Sequence, residues 1–168
     1  MKIHTYASQG DIAGVHSELA KGVKVDSRDE RDFTPLAYAA SKPAAQEDML
    51  RLLIESGADV NATVKGEVEA QFPIGLAACS GSLTKVQILV DAGADITFVS
   101  PGGYTILINV MYQLHDDEQL VPMIKLLVAH GAETNGETEY GESPLSVSSY
   151  FGRFDAVNAL LDAGADPA

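Results

Sequence analysis

The sequence predicts an all-α fold, a solenoid of stacked helix-turn-helix units. Two observations lead to this prediction. A glycine-containing segment occurs five times along the 168 residues, and its glycines are separated by 35, 36, 38 and 33 residues. An apolar run with helical spacing precedes each of these segments. Regular repetition at a period of roughly 20 to 50 residues is typical of stacked repeats, so we expect one helix pair per period.

The second helix of each predicted pair is the apolar run, interrupted by charged or polar residues at helical spacing. The five runs are Val15 to Leu19, Met49 to Ile54, Val86 to Val90, Met123 to Val128 and Val157 to Leu161. We expect four of their leucines to be core residues: Leu53, Leu89, Leu127 and Leu160. Each run is followed by the recurring glycine, at Gly22, Gly57, Gly93, Gly131 and Gly164. Because glycine adopts the left-handed conformation that closes a helix, we expect these five helices to end there.

The first helix of each fuller pair is predicted from a second repeated element. This element occurs as Thr34-Pro35-Leu36, Phe72-Pro73-Ile74, Thr105-Ile106-Leu107 and Ser143-Pro144-Leu145. Threonine and serine cap helix N-termini and proline fits the first turn, so three of the four elements are interpreted as helix starts. Small residues follow, such as Ala39-Ala40 and Ala77-Ala78. They allow neighbouring helices to approach closely, which indicates stacking.

These two motifs resemble the ankyrin repeat family, whose pattern runs G-x-T-P-L-H-x-A-A-x-x-G, then V-x-L-L, then G-A-D-V-N-A. The best matches are TPLAYAA (34–40), RLLIESGADVNA (51–62), FPIGLAACSG (72–81) and SPLSVSSYFGRFDAVNALLDAGAD (143–166). The resemblance covers essentially the whole chain. It implies an ankyrin-repeat solenoid with short finger hairpins between its units. This solenoid is a single domain, residues 1–168, of one shortened N-terminal unit and four fuller repeats. The approximate units are 1–30, 31–66, 67–101, 102–139 and 140–168.

The chain departs from the family pattern in three ways. Only His4 keeps the histidine of the family's T-P-L-H element; the other repeats have Ala37, Gly75, Ile108 and Ser146 there. Repeats two and four are longer than the pattern, which predicts enlarged inter-helix loops containing residues 42–47 and 115–119. The segment from Ala62 to Gln71 is also long, and we expect a β-hairpin that turns near Lys65-Gly66.

Composition restricts the classes of function. The chain has 11 Lys and Arg residues against 24 Asp and Glu residues, a formal net charge of −13, and 46% of its residues are hydrophobic. This hydrophobic share supplies a core, whereas the charge disfavours nucleic acids and anionic membranes and favours a basic partner. Solubility alone is the alternative explanation of the charge.

Cys79 is the single cysteine, and neither a signal peptide nor a membrane-spanning run is evident. We therefore expect a soluble, cytoplasmic protein.

No catalytic motif emerges from the sequence, and no metal or cofactor is predicted. Cys79 has no evident base partner and is interpreted as a buried structural residue. The cluster His115-Asp116-Asp117-Glu118 is interpreted as a solvated acidic loop. His130 precedes Gly131 and is interpreted as a helix C-terminal residue. The recurring Asp26, Asp59, Asp95 and Asp166 are predicted to form local hydrogen bonds where each finger begins.

The family resemblance implies a binding surface on the fingers and on the exposed side of the first helices, which form a concave face. Transferring these positions onto the chain gives an aromatic-rich stripe with acidic flanks. Tyrosine is favoured in such surfaces because it offers a large contact area with few rotors to freeze. The predicted partner-binding residues are Glu30, Phe33, Tyr38, Glu69, Gln71, Tyr104, Asn109, Tyr112, Glu139, Tyr140, Glu142, Tyr150 and Phe151.

The resulting hypothesis is a non-catalytic module that binds another protein with a basic surface. A finer hypothesis is a cognate inhibitor or immunity protein of a basic, nuclease-like toxin. Two alternatives stay open: the interaction segment of a larger multidomain protein, and an enzyme with an unrecognised site at Cys79 or in the His115 loop.

Overall fold

The computed structural model of the chain describes residues 2–42, 46–64 and 72–167. Within these ranges the structure contains ten α-helices and no strand, apart from an isolated bridge between Ser100 and Tyr104. The helices are α1 (Lys2–Gln9), α2 (Ile12–Ala20), α3 (Pro35–Ser41), α4 (Glu47–Glu55), α5 (Pro73–Cys79), α6 (Leu83–Asp91), α7 (Ile106–Gln113), α8 (Asp117–Ala129), α9 (Pro144–Tyr150) and α10 (Phe154–Asp162). The all-α prediction is confirmed, and the hairpin predicted near Lys65-Gly66 lies outside the described residues.

The predicted helix starts at Thr34, Thr105 and Ser143 are confirmed. The hydroxyl of each residue accepts a hydrogen bond from the backbone N–H three residues later, at distances of 3.2, 3.3 and 3.2 Å. This bond satisfies one of the N–H groups that a helix leaves without an internal partner. Helix α5 begins at Pro73 without a side-chain cap from Phe72.

The recurring glycines end the second helices as expected. All five adopt left-handed backbone angles, with φ between 85° at Gly22 and 95° at Gly131. The following N–H reaches back into the helix, as when Ala58 donates to the carbonyl of Leu53 at 3.0 Å. Such bonds satisfy carbonyl groups at the helix end.

The chain forms two compact units, Met1–Ala94 and Asp95–Ala168. In the first unit α3 packs on α1, α4 and α5, and α6 packs on α4 and α5. Ala39, Ala40, Ala77 and Ala78 are fully buried, which explains how α3 and α5 approach closely. The predicted core residues of this unit, Leu53 and Leu89, are fully buried.

The second unit contains two further helix pairs. Helices α7 and α9 pack together, α8 packs on α10, and each first helix contacts its own second helix. Its core includes Leu107, Met111 and Leu120, and the predicted core residues Leu127 and Leu160 are also fully buried.

The enlarged loop predicted in repeat four is instead helix. Asp117 to Gln119 belong to the first turn of α8, so that helix is 13 residues long and only residues 114–116 connect it to α7. The Oδ1 atom of Asp116 accepts a hydrogen bond from the N–H of Glu118 at 2.9 Å. This cap and the acidic first turn suit the positive end of the helix dipole, which explains why the inserted residues lengthen the helix.

Two buried cations close first helices that lack a glycine at their turn. Helices α1, α5 and α9 are followed by left-handed Gly10, Gly81 and Gly152. After α3, by contrast, the ammonium of Lys85 donates to the carbonyls of Ala39 (2.9 Å) and Lys42 (2.5 Å).

Arg153 makes the equivalent contact after α7, where its guanidinium donates to the carbonyl of Met111 at 2.5 Å. Lys85 is fully buried and Arg153 is 8% exposed. Each cation therefore supplies donors to carbonyls in the last turn of a helix, where intrahelical partners end.

Candidate functional site

The predicted site is built on finger turns, each of which is a five-residue loop before a first helix. Three such turns lie in the described residues, at 29–33, 100–104 and 138–142. In each turn the first N–H donates to the fifth carbonyl, at 3.1 Å for Asp29 and 3.0 Å for Ser100 and Thr138. The fourth residue is left-handed in all three, at Asp32, Gly103 and Gly141. Within each unit, we call the surface formed by its finger turns and the adjoining first helices the finger face of that unit.

In the first unit the finger turn is fastened to helix α3 through Asp29 and Tyr38. The Tyr38 hydroxyl donates to Oδ2 of Asp29 at 2.7 Å, while the backbone N–H groups of Arg31 and Phe33 donate to Oδ1 at 2.9 Å. The ring of Tyr38 also packs on Phe33, with centroids 5.1 Å apart, and edge-on against His4 at 6.0 Å. Phe33 of the turn and Tyr38 of α3, both predicted to bind a partner, are therefore half-buried and support the finger.

The same contacts shift the acid–base properties of this pair. Burial raises the pKa of Asp29, but the hydrogen bonds from Tyr38, Phe33 and Arg31 outweigh it and hold the pKa below its usual value. The hydrogen bond to Asp29 in turn raises the pKa of Tyr38. The contact thus joins an ionised carboxylate to a protonated tyrosine at neutral pH.

The first finger carries side chains of both charges. Arg28 and Arg31 lie beside Asp29 and Glu30 around one surface depression. Arg28 also pairs with Asp32 at 2.8 Å and donates to the carbonyl of Thr63 at 2.6 Å. Glu30 is therefore an exposed carboxylate with both basic and acidic side chains around it.

In the second unit, four aromatic rings form a continuous row on the finger face. Tyr104 and Tyr112 have centroids 6.4 Å apart, Tyr112 meets Phe151 edge-on at 5.9 Å, and Phe151 meets Tyr150 at 5.3 Å. Exposure increases along the row: Tyr104 and Tyr112 are half-buried, Phe151 is 43% exposed and Tyr150 is 86% exposed. We call these four residues the aromatic row.

A carboxylate is held beside the aromatic row. Oε1 of Glu142 accepts the hydroxyl of Tyr112 at 2.8 Å, and Oε2 accepts the hydroxyl of Thr138 at 3.2 Å. A pocket of about 380 Å³ is lined by Tyr112, Glu142, Ser146, Val147 and Tyr150. The pocket therefore combines two aromatic walls, an apolar side chain and one oriented negative charge.

The two finger turns of this unit are in direct contact, which fixes the position of Glu142. The N–H of Glu139 donates to the carbonyl of Gly102 at 2.8 Å. A Cβ atom on Gly103 would lie 2.5 Å from the carbonyl oxygen of Glu137 and 2.9 Å from Cα of Thr138. Only glycine fits this contact.

Other predicted site residues are placed differently. Asn109 lies on the buried side of α7 and is only 2% exposed. It therefore does not contribute to the binding surface. Tyr140 is 74% exposed at the finger tip, and the hydrogen bond and charge of neighbouring Glu139 raise its pKa. Glu69 and Gln71 lie outside the described residues.

Three residues of this site were missed by sequence reasoning: Gly103, Thr138 and Arg153. Arg153 is the most informative, because its guanidinium lies over the Phe151 ring at 4.8 Å from the centroid. It also contacts Nδ1 of His115 at 3.4 Å. The adjacent glycines Gly102 and Gly103 are a sequence signal from which a close backbone approach could have been predicted.

The cysteine, histidine and aspartate residues that were weighed as catalytic or metal-binding candidates lie at helix ends and in turns. Cys79 is half-buried at the last position of α5, and Asp116 caps α8. Oδ1 atoms of Asp59 and Asp95 accept the N–H two residues later at 2.9 Å, as predicted for turn residues. Asp26 instead accepts the N–H of Asp59, a contact between successive repeats. His130 is the C-cap of α8.

Within the part of the chain that the structure describes, no three His, Cys, Asp or Glu residues are grouped as a metal site would require. No helix there is long and apolar enough to cross a membrane.

Comparison with known proteins gives consistent matches. Residues 74–168 match a family model described as ankyrin repeats in three copies, and residues 31–65 match a model of a single ankyrin repeat. The chain is 32% identical over 117 residues to a putative palmitoyltransferase, ZDHHC13, of Danio rerio, covering 70% of this chain. It is 30% identical over 169 residues to the human ankyrin repeat and MYND domain-containing protein 1, covering 94% of this chain.

The matched relatives differ in how much of their length is covered. The alignments span 17% of the Danio rerio protein and 18% of the human protein. The putative ankyrin repeat protein YahD of Escherichia coli is 24% identical, and the alignment covers 95% of this chain and 94% of YahD. With both repeat motifs, the paired helices and the family models in agreement, the chain belongs to the ankyrin repeat family.

Proposed function

We propose that the chain is a non-catalytic module that binds a partner protein through the finger face of its second unit. The observation that carries the proposal is the aromatic row, which ends in the exposed Tyr150 next to the oriented Glu142 carboxylate. Exposed aromatic side chains with rigid neighbours are typical of binding hot spots. Ankyrin repeats are generally binding modules, which agrees with this assignment.

We further propose that the partner has a basic surface. Residues 95–168 contain 11 Asp and Glu residues against two Lys and Arg residues, a formal net charge of −9, whereas residues 1–94 carry 13 against nine, or −4. Of the two cations in the second unit, Arg153 is buried against a helix end. An acidic inhibitor or immunity protein of a basic toxin fits this distribution.

The coverage of the relatives supports a second candidate, the interaction segment of a larger protein. The chain aligns with less than a fifth of the first two relatives. YahD, which is aligned over nearly its full length, favours the stand-alone form. An intact-mass measurement of the natural gene product distinguishes them.

The binding proposal is tested by affinity capture with matched variants. Tyr140 and Tyr150 are 74% and 86% exposed, so their joint replacement by Ala should leave the fold intact while removing contact area. Phe154→Ala is the control, since Phe154 is 79% exposed but lies on the second helix α10. We expect the double variant to lose proteins that the wild type and the control both retain. Equal capture by all three would reject the finger face as the binding surface.

A further inference from the structure

The pocket beside the aromatic row has an unmatched charge. Among residues 72–167 the Glu142 carboxylate forms no ion pair; its two hydrogen-bond donors, Tyr112 and Thr138, are neutral hydroxyls. A carboxylate has about four lone-pair sites, so each oxygen keeps capacity for another donor. The two hydroxyls therefore orient the carboxylate without neutralising it.

The same aromatic row already binds one guanidinium. Arg153 lies 4.8 Å from the Phe151 centroid, on a ring that contacts both walls of the pocket, Tyr112 and Tyr150. Planar guanidinium groups stack on aromatic faces and present a fork of N–H donors that matches a carboxylate. Arg153 is committed to the Met111 carbonyl, however, and is not a lining residue of the pocket.

We propose that this pocket receives an arginine side chain of the partner protein, with its guanidinium against Glu142 and between the Tyr112 and Tyr150 rings. The methylene stem would lie on Val147, which is 4% exposed at the pocket wall. This inference deepens the proposed function and rests on it. An ammonium fits less well, because it offers neither the planar stacking surface nor the two-pronged donor geometry.

The probe is Nα-acetyl-arginine amide, titrated into the isotope-labelled whole chain and followed by backbone amide chemical shifts. The amides of Ser146, Val147 and Tyr150 should shift saturably, with a dissociation constant on the order of millimolar for a single side chain. Nα-acetyl-citrulline amide has nearly the same shape without the charge, and Nα-acetyl-lysine amide has the charge without the plane. Both should bind at least about fivefold more weakly.

Two variants locate the binding site. Glu142→Gln should weaken the arginine probe about tenfold, and Tyr150→Ala about twofold to fivefold. Glu137→Gln removes the same charge from the same finger outside the pocket lining and should leave binding within about twofold. Because Tyr150 is 86% exposed, its replacement also keeps the test valid if Glu142→Gln disturbs the finger.

The proposal is overturned by any of four results: no saturable shift up to about 50 mM probe, equal binding of citrulline, equal binding of lysine, or unchanged binding by both pocket variants. The titration needs no partner and is therefore independent of affinity capture. If the probe binds but the Tyr140 and Tyr150 double variant captures the same proteins as the wild type, the arginine pocket is supported and the proposed function is rejected. If the double variant loses captured proteins but the arginine probe gives no saturable shift, the proposed function is supported and the arginine pocket is rejected.

Discussion

Gly103 is required in the second unit by two separate constraints at a single residue. Its φ of 85° is left-handed, and its missing Cβ makes room for the backbone at Glu137 and Thr138. Gly141 occupies the same place in the next finger turn, with a φ of 75° but no neighbouring atom within 4 Å of a Cβ. A side chain at Gly141 would therefore incur only the conformational cost, whereas one at Gly103 would incur both the conformational and the steric cost.

We predict that Gly103→Ala is distinctly more destabilising than Gly141→Ala. The left-handed conformation should cost each variant about 1–2 kcal/mol of unfolding free energy. Overpacking against backbone atoms should add a further cost of about 1–3 kcal/mol at Gly103 only. Urea denaturation of both variants beside the wild type measures the difference. Equal losses would mean that the two fingers are not in contact in solution.

At the scale of elements, the buried cations explain how two first helices end without a turn glycine. Burial lowers the pKa of Lys85, and the negative charge of Glu47 opposes this shift, so the ammonium is held in an unfavourable environment. Its hydrogen bonds to Ala39 and Lys42 offset that cost. Arg153 does the same for Met111 with a group that stays charged.

We predict that Lys85→Met and Arg153→Met each lower the unfolding free energy by about 1–3 kcal/mol, since each leaves helix-end carbonyls without a donor. Lys125→Met is the control, because Lys125 is an exposed lysine on α8 and should change stability by less than about 0.5 kcal/mol. Chemical denaturation measures all three variants. A Lys85→Met protein as stable as the control would show that dehydration of the ammonium cancels its hydrogen bonds.

At the scale of the whole molecule, the uneven charge should control how fast a basic partner associates. With −9 of the −13 charges in residues 95–168, long-range attraction should be directed there and weaken as the Debye length shortens. We predict that raising salt from about 20 to 150 mM slows association about tenfold or more and changes dissociation much less. Stopped-flow mixing with the captured partner measures both rates.

Charge-neutralising variants provide the matched control for this experiment. Glu137→Gln with Glu139→Gln removes two charges from the exposed finger, whereas Asp117→Asn with Glu118→Gln removes two from a separate groove that α8 and α10 line. The finger pair should reduce the association rate more. Rates that respond to neither salt nor the finger pair would assign the acidic composition to solubility.

The sequence by itself determined the family fold, because its signals are local. Threonine and serine caps, first-turn prolines and left-handed glycines act on their own helix, so starts at Thr34, Thr105 and Ser143 and ends at the recurring glycines were predictable. The leucines Leu53, Leu89, Leu127 and Leu160 followed from helical periodicity, and all four are fully buried. The predicted aromatic stripe likewise contained every member of the aromatic row.

Tertiary structure alone decided which of these side chains are available and what holds them. Asn109 and Tyr112 lie three residues apart on α7, yet one is buried and the other binds Glu142, a contact over 30 residues. The buried roles of Lys85 and Arg153 depend on carbonyls 46 and 42 residues away. Charged side chains are usually solvated, so no local pattern indicates such burial. The site arises where successive repeats meet, and that contact is a property of packing.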